Sequence, residues 1–263
     1  MTVSIPLQNQ DETQGGVSMR SLLLMIALYV NLIAWMFVGL IVLILPRSFV
    51  VALARAWSRY YLWLCRVVGG ISVEFRGLNN IPKGPLLIAA KHQSIWETFA
   101  LLSLFEDPCF ILKRELAFIP LFGWFLAKMR NVPIDRKGGA RTLVKLVKAA
   151  HREIGAGKGR QILLFPEGTR RTPGAPPAYR FGIAQIYSGL NVPCLPIALN
   201  SGVYWPRRSM KLRQGTIIVD ILPVIEPGLD RQDFFVLMQE KIEEASDRLL
   251  AEARHDLGLP LEA

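Results

Sequence analysis

Cysteine and histidine are both scarce in this chain, with three of each among 263 residues. Cys65, Cys109 and Cys194 stand alone among apolar neighbours, without a CxxC pair or metal-ligand spacing. That excludes a disulfide framework and a zinc site, and the three read as small buried hydrophobes in a reducing compartment. Internal repeats and low-complexity tracts are also missing, which excludes solenoids and arrays. The most informative absence is charge: from Ser21 to Leu45 there is none. A membrane span needs roughly 20 such residues at about 1.5 Å each, and a buried core helix of this length is unusual. A cleaved signal peptide is the other reading, with Ala52-Leu53-Ala54 as the cleavage site. Against it stand the length of the run, the upstream acids Asp11 and Glu12, and Arg47 before the supposed cut.

The charge that is present is mostly positive. Net charge is +10, while 51% of residues are hydrophobic and 20% charged. Such a balance suits an anionic partner: anionic lipid, nucleic acid, coenzyme A or an acidic carrier protein. Between Phe49 and Val68 the only charges are Arg55, Arg59 and Arg66, which fall within roughly 40° of one another on a helix. Val50, Leu53, Trp57, Tyr61, Leu64 and Val68 occupy the rest of its surface. That is the pattern of a helix lying in the membrane interface, with arginines at phosphate headgroups. Positive charge follows the apolar run, so the C-terminal bulk is expected on the cytoplasmic side.

From Ile71 the pattern changes. Short β-type runs at 71–75, 85–90, 108–112, 161–165, 192–199 and 216–222 alternate with helical periodicity at 94–105, 140–154, 181–188 and 231–254. Several runs are apolar throughout, as in strands covered on both faces. The last helix carries Phe234, Met238, Ile242, Ala245 and Leu249 in one stripe, with Asp230 as its N-cap. The expected organisation is a two-helix anchoring segment over 1–70 and an α/β domain over 71–263.

Two polar segments follow buried strands. In Lys91-His92-Gln93-Ser94-Ile95-Trp96-Glu97, His92 is expected at a strand's carboxyl end, where catalytic groups collect in α/β folds. A histidine can accept a hydroxyl proton when a carboxylate on its other nitrogen fixes its tautomer. His92 and Glu97 would diverge by roughly 140° on one helix. They meet only if His92 precedes the helix and Glu97 lies in its first turn. Ser94-x-x-Glu97 is also a capping box, a purely structural use of the same glutamate. The second segment, Phe165-Pro166-Glu167-Gly168-Thr169-Arg170-Arg171, combines a tight turn with arginines suited to phosphate, or is an ordinary solvated turn.

Together these segments resemble the glycerolipid acyltransferases, in particular the bacterial 1-acylglycerol-3-phosphate acyltransferases. The resemblance runs from Ile71 to Asp220 in the family's motif order. His92 to Glu97 matches the first motif, with glutamate where the family has aspartate. Val132-Pro133-Ile134-Asp135-Arg136 matches the second, Phe165 to Arg170 the third, and Val192-Pro193-Cys194-Leu195-Pro196 the fourth. Lys113 matches a phosphate-binding lysine of the family.

The resemblance implies a mixed sheet covered by helices, of the glycerol-3-phosphate acyltransferase type. It implies His92 as general base and Glu97 as its orienting carboxylate. Lys113, Arg136, Glu167, Gly168, Thr169 and Arg170 would form the phosphate-binding set, Glu167 by ordering its turn. An acyl group would pass from acyl-CoA or acyl carrier protein to the free sn-2 hydroxyl of 1-acyl-glycerol-3-phosphate. The implied partners are that lysophospholipid, the donor and anionic membrane lipids, with no nucleic acid, metal or cofactor. The implied location is the cytoplasmic face of a bacterial inner membrane. The longer glutamate side chain moves its carboxylate by about one bond length, so His92 is expected to stand back to accommodate it.

The apolar span from Ile119 to Ala127 is expected to line an acyl channel, to dip into lipid or to pack in the core. His151 and His255 carry no assigned role. Two rival readings remain: an acyltransferase for a lysolipid without the phosphate, such as a lyso-ornithine lipid, and a membrane-tethered basic binding module without catalysis.

Overall fold

The computed structural model describes residues 18–135, 139–155 and 159–260. Asp11, Glu12 and Arg136 lie outside them. Two helices lead the chain, α1 (Met19–Val42) and α2 (Arg47–Val67). Then follow β1 (Ile71–Arg76), β2 (Leu86–Ala90), α3 (Trp96–Ala100), β3 (Pro108–Lys113), α4 (Phe122–Lys128), β4 (Val132–Ile134) and α5 (Gly139–Gly155). The remainder is β5 (Gln161–Leu164), α6 (Gly182–Leu190), β6 (Cys194–Leu199), α7 (Ser201–Tyr204), β7 (Gly215–Ile221) and α8 (Arg231–Asp256).

The strands form one mixed sheet in the order β1-β7-β6-β2-β5-β3-β4, with β6–β7 its antiparallel pair. Side chains alternate across a strand, and both faces of β2 are covered. Leu86, Ile88 and Ala90 join a core with Tyr61 and Cys65 of α2 and Trp96 and Ala100 of α3. Leu87 and Ala89 join the opposite core with α5, α6 and α8, through Ala150, Ile186 and Met238. This double coverage is why the central strands are apolar at every position. Along α8 the stripe Phe234, Met238, Ile242, Ala245 and Leu249 is buried as expected. Asp230 caps the helix by accepting from the Gln232 N–H at 2.8 Å.

Three expectations need correction. The helix expected over 94–105 is short, ending as α3 at Ala100 before a 3-10 turn over Leu101–Ser103. The edge strand β4, missing from the expected set of strands, is too brief to show periodicity. The third correction concerns α2, whose supposed lipid-facing stripe faces inward: Val50, Tyr61 and Leu64 are buried. Phe49, Tyr60, Trp63 and Val67 are the exposed apolar residues, beside exposed Arg59 and Arg66. The α/β domain supplies a larger apolar surface than one stripe, so it takes the better-packing face.

Among the described residues only α1 is long and apolar enough to cross a membrane, and it keeps most of its apolar surface uncovered, including Ile26, Tyr29, Val30, Phe37, Val38 and Ile41. Both its ends touch the domain. Arg20 donates to the Val68 carbonyl (3.0 Å) and to Gln214 Oε1 (2.9 Å), and Gly39 packs against the Phe125 ring of α4. Midway, Trp57 Nε1 of α2 donates to Asn31 Oδ1 at 2.9 Å.

Candidate active site

Five mutually parallel strands, β6, β2, β5, β3 and β4, end on the same side of the sheet. Their carboxyl ends therefore bring together segments far apart in sequence. Lys91 and His92 follow β2, Phe165 to Arg170 follow β5, Asn200 and Ser201 follow β6, Lys113 ends β3, and Asp135 follows β4.

His92 lies in the turn before α3 and Glu97 in the first turn of that helix, with His92 Nδ1 2.8 Å from Glu97 Oε1. The same oxygen accepts from the backbone N–H groups of Gln93 (2.8 Å) and Ser94 (2.7 Å). Capping and orienting are thus performed by one carboxylate. Glu97 Oε2 accepts from the Ser201 hydroxyl at 2.7 Å. Both Glu97 and Ser201 are fully buried.

The longer side chain keeps one oxygen in contact with the imidazole and carries the other to Ser201. An ionised carboxylate can only accept, so Nδ1 carries the proton toward Glu97 and Nε2 keeps its lone pair. Among the described residues none bonds to Nε2.

The imidazole is braced from behind by Phe165, stacked at 4.1 Å between centroids and 17° between planes. Its backbone is held on both sides: the His92 N–H donates to Glu167 Oε2 (2.8 Å), and the His92 carbonyl accepts from the Arg171 N–H (2.7 Å). The neighbouring Gln93 Oε1 accepts from the Gly202 N–H at 3.0 Å.

Glu167 is buried, so a phosphate does not meet its carboxylate. Its Oε1 lies 3.1 Å from Lys91 Nζ, which reaches Glu243 of α8 at 2.5 Å and sits 5.4 Å from the Tyr179 ring centre. Burial raises the Glu167 pKa, against the opposing pull of Lys91 and the His92 N–H. Glu167 therefore orders the turn rather than contacting an anion. Gly168 has φ +69°, and a Cβ there would meet Arg180 Nε at 2.8 Å, so the turn requires glycine.

Thr169 is exposed and Arg170 half-buried on the outer side of this turn. Lys113 Nζ pairs with Glu115 at 3.1 Å in solvent, at the rim of the cavity that contains His92. The fourth sequence motif lies at the amino end of β6, where Pro193 and Cys194 bond to Leu87 and Ile225. Its role is strand pairing, away from the site.

A cavity of about 220 Å³ opens beside the imidazole. Apolar side chains dominate its wall, including Leu32 and Trp35 of α1, Leu53 and Trp57 of α2, and Phe125 of α4. The span from Ile119 to Ala127 divides accordingly. Phe122, Phe125 and Leu126 face the cavity, while Phe118 just before the span, Ile119 and Trp124 are exposed.

Sequence reading missed Ser201, Lys91 and Glu243. Asn200-Ser201-Gly202 does follow a buried strand, the same signal that pointed to His92 and Phe165. Nothing local links Glu243, which arrives from a helix 152 residues away.

The acyltransferase family model matches residues 72–200. A 1-acyl-sn-glycerol-3-phosphate acyltransferase of Pseudomonas aeruginosa is 43% identical over 169 residues, covering 64% of this chain and 65% of that protein. A lyso-ornithine lipid O-acyltransferase of the same organism is 33% identical over 127 residues, 48% of this chain and 46% of that one. A chloroplast 1-acyl-sn-glycerol-3-phosphate acyltransferase of Brassica napus is 29% identical, with 48% of its length spanned. These matches span between about half and two thirds of the relatives' lengths. The crystal structure of a 1-acyl-sn-glycerophosphate acyltransferase from Thermotoga maritima shares the fold, with TM-score 0.74 at 21% identity over 88% of this chain and 96% of that one.

Proposed function

We propose that this chain, whose residues 72–200 match the acyltransferase family model, moves a fatty acyl group from a thioester donor to the sn-2 hydroxyl of 1-acyl-glycerol-3-phosphate, giving phosphatidic acid. The observation that carries the reading is His92 on the wall of an apolar cavity, its Nδ1 held by Glu97 and its Nε2 without a partner among the described residues. Nε2 takes the hydroxyl proton as the oxygen attacks the thioester carbonyl. The tetrahedral intermediate expels the thiolate, which recovers the proton from the imidazolium to leave as a thiol. No acyl-enzyme forms. A binding module would have no use for a charge-oriented, otherwise unbonded imidazole, so this geometry disfavours the non-catalytic rival.

The cavity is the natural receptacle for an acyl chain, since it is apolar and walled partly by the anchoring helices. The membrane reading follows from α1. Arg20 and Gly39 are about 28 Å apart along the helix, close to the hydrocarbon thickness of a bilayer. A domain gripping both ends would itself have to enter the bilayer if α1 crossed it. Insertion into one leaflet, with the exposed faces of α1 and α2 in lipid, satisfies the geometry at lower cost. The interfacial aromatics Tyr60, Trp63 and Trp124 fit such a position. We assign that leaflet to the cytoplasmic side.

The test is acyl transfer in vesicles from labelled acyl-CoA and acyl carrier protein to lysophosphatidic acid and to lyso-ornithine lipid. Labelled phosphatidic acid supports the reading. Product only from the ornithine lipid would replace it with the second reading, which the 33% identical relative favours.

Two variants probe the site's details. Ser201→Ala removes a hydrogen bond to a buried carboxylate, so kcat is expected to fall about 10-fold. In a Glu97→Asp background the shorter side chain no longer reaches Ser201, and the same change should then cost little. Equal losses in both backgrounds, read as a double-mutant cycle, would remove Ser201 from the dyad.

Chain-length preference is best probed at Ala54 on the cavity wall. Gly123 is unsuitable, because a Cβ there would strike the Ala117 carbonyl oxygen at 2.1 Å. Ala54→Phe is expected to shift selection toward shorter donors, measured by competition between acyl chains of different length. An unchanged profile would separate the cavity from acyl binding.

A further inference from the structure

Beyond residue 200, where the family match ends, the segment between α7 and β7 carries Arg207, Arg208, Lys211 and Arg213. It is a held loop. Arg213 Nη1 donates to the Val203 carbonyl (3.0 Å), and the Leu212 N–H donates to the Ser21 hydroxyl of α1 (3.2 Å). Arg207 Nη1 donates to the Arg170 carbonyl at 3.0 Å, seating the loop on the turn after β5. That turn in turn bonds the His92 carbonyl through the Arg171 N–H. Loop, turn and base are therefore successive links.

Arg170, Arg207 and Arg208 stand together, and among the described residues no carboxylate forms an ion pair with any of them. Some arginines elsewhere are matched, Arg47 with Asp107, Arg76 with Glu252 and Arg160 with Glu153. Burial, then the charge of Arg207 and more weakly that of Arg208, pulls the Arg170 pKa below its ordinary value against the opposing charge of Glu97. Arg208 has φ +59°, a left-handed conformation uncommon for a residue with a side chain and often found at ligand sites. Grouping unpaired guanidiniums is unfavourable until an anion enters.

We infer that Arg207 and Arg208 join Arg170 to bind the acceptor's phosphate monoester, making them specificity residues for the proposed reaction, on which this inference rests. A monoester carries about −1.5 to −2 charge near neutral pH, against one for a phosphodiester. Three guanidiniums more than neutralise the dianion and offer a donor to each of its free oxygens. The same chemistry could come from bilayer headgroups or from the donor's phosphates. The link through Arg170 to the base favours the acceptor, whose hydroxyl must reach His92.

The experiment compares wild type with the double variant Arg207→Gln/Arg208→Gln and with Lys211→Gln, an exposed cation of the same loop without a bond to the turn. Binding of lysophosphatidic acid is measured without donor, so no turnover is needed, and KM is then measured for each substrate. Partition into phosphatidylcholine vesicles, with and without phosphatidylglycerol, is followed alongside. The double variant is expected to bind lysophosphatidic acid about 10- to 100-fold more weakly, with donor KM and vesicle partition unchanged and Lys211→Gln like wild type. Unchanged lysophosphatidic acid binding would overturn the inference. So would a loss confined to vesicle partition, a rise in donor KM alone, or an equal effect of Lys211→Gln. If wild type binds lysophosphatidic acid through these arginines but never acylates it, the reaction reading fails while the phosphate site stands.

Discussion

His92→Ala is expected to lower acyl transfer by about 10²–10⁴-fold, the usual contribution of a positioned general base, with little change in folding. The imidazole is at a cavity rim, only 12% exposed, and contributes one side-chain hydrogen bond and one ring stack. The more discriminating partner variant is Glu97→Gln. Glu97→Ala would strand four donors, the Gln93 and Ser94 N–H groups, the His92 ring and Ser201, in a fully buried site. It should lose most activity, but part of that loss would reflect a disordered turn.

Glutamine keeps the shape and can still accept from the backbone. Because Gln93, Ser94 and Nδ1 all meet one oxygen, the amide oxygen takes that place and the Nδ1–H tautomer is kept, but the negative charge that steadies the imidazolium is gone. Loss on the same scale, about 10²–10⁴-fold, follows from the missing charge. Glu97→Asp should retain partial activity, because a carboxylate remains on His92 while the shorter side chain gives up Ser201. The measurement is initial rate at saturating donor and acceptor, with thermal unfolding as control. Full activity in His92→Ala, or in Glu97→Gln, would falsify the base assignment or the orienting role respectively.

Lys91→Met is expected to be the most destabilising single change near the site. Lys91 is 3% exposed between two carboxylates, Glu167 and Glu243. Methionine matches its length, so packing is largely kept and the loss is electrostatic. Removing one partner from a buried ionic group typically costs about 3–5 kcal/mol. Activity should fall too, because Glu167 holds the His92 N–H.

The loss has a pH signature. Burial raises the folded-state pKa of Glu167 above the ordinary carboxylate value. Between the unfolded and folded values the native state holds the extra proton, so this group's contribution to stability declines as pH rises through that window. Lys91 normally opposes the shift, and its removal widens the window upward. The stability difference between variant and wild type should therefore be larger at pH 8 than at pH 5. Thermal unfolding in detergent at both pH values measures it. A difference independent of pH would mean that Glu167 does not carry the effect.

The buried strands, the α8 stripe and its Asp230 cap were legible in sequence because each depends on local periodicity or a single turn. The uncharged run of α1 was legible for the same reason. His92 with Glu97 and the turn at Gly168 could also be read, since each motif is contiguous and its chemistry needs particular residue types. What faced what was a tertiary matter. The stripe of α2 had two possible coverings, lipid or domain, and the domain took it.

Ser201, Lys91 and Glu243 became part of the site only because parallel strands β6, β2 and β5 end side by side and α8 crosses behind them. A hydrogen bond of 2.7 Å between residues 104 apart leaves no periodicity in the chain. By itself the sequence determined which segments could be strand, helix or catalytic turn, since those choices rest on neighbours along the backbone. The tertiary structure alone decided which oxygen of Glu97 meets Ser201, which face of α2 the domain covers, and which arginines stand beside Arg170, because such choices depend on distances across the sheet.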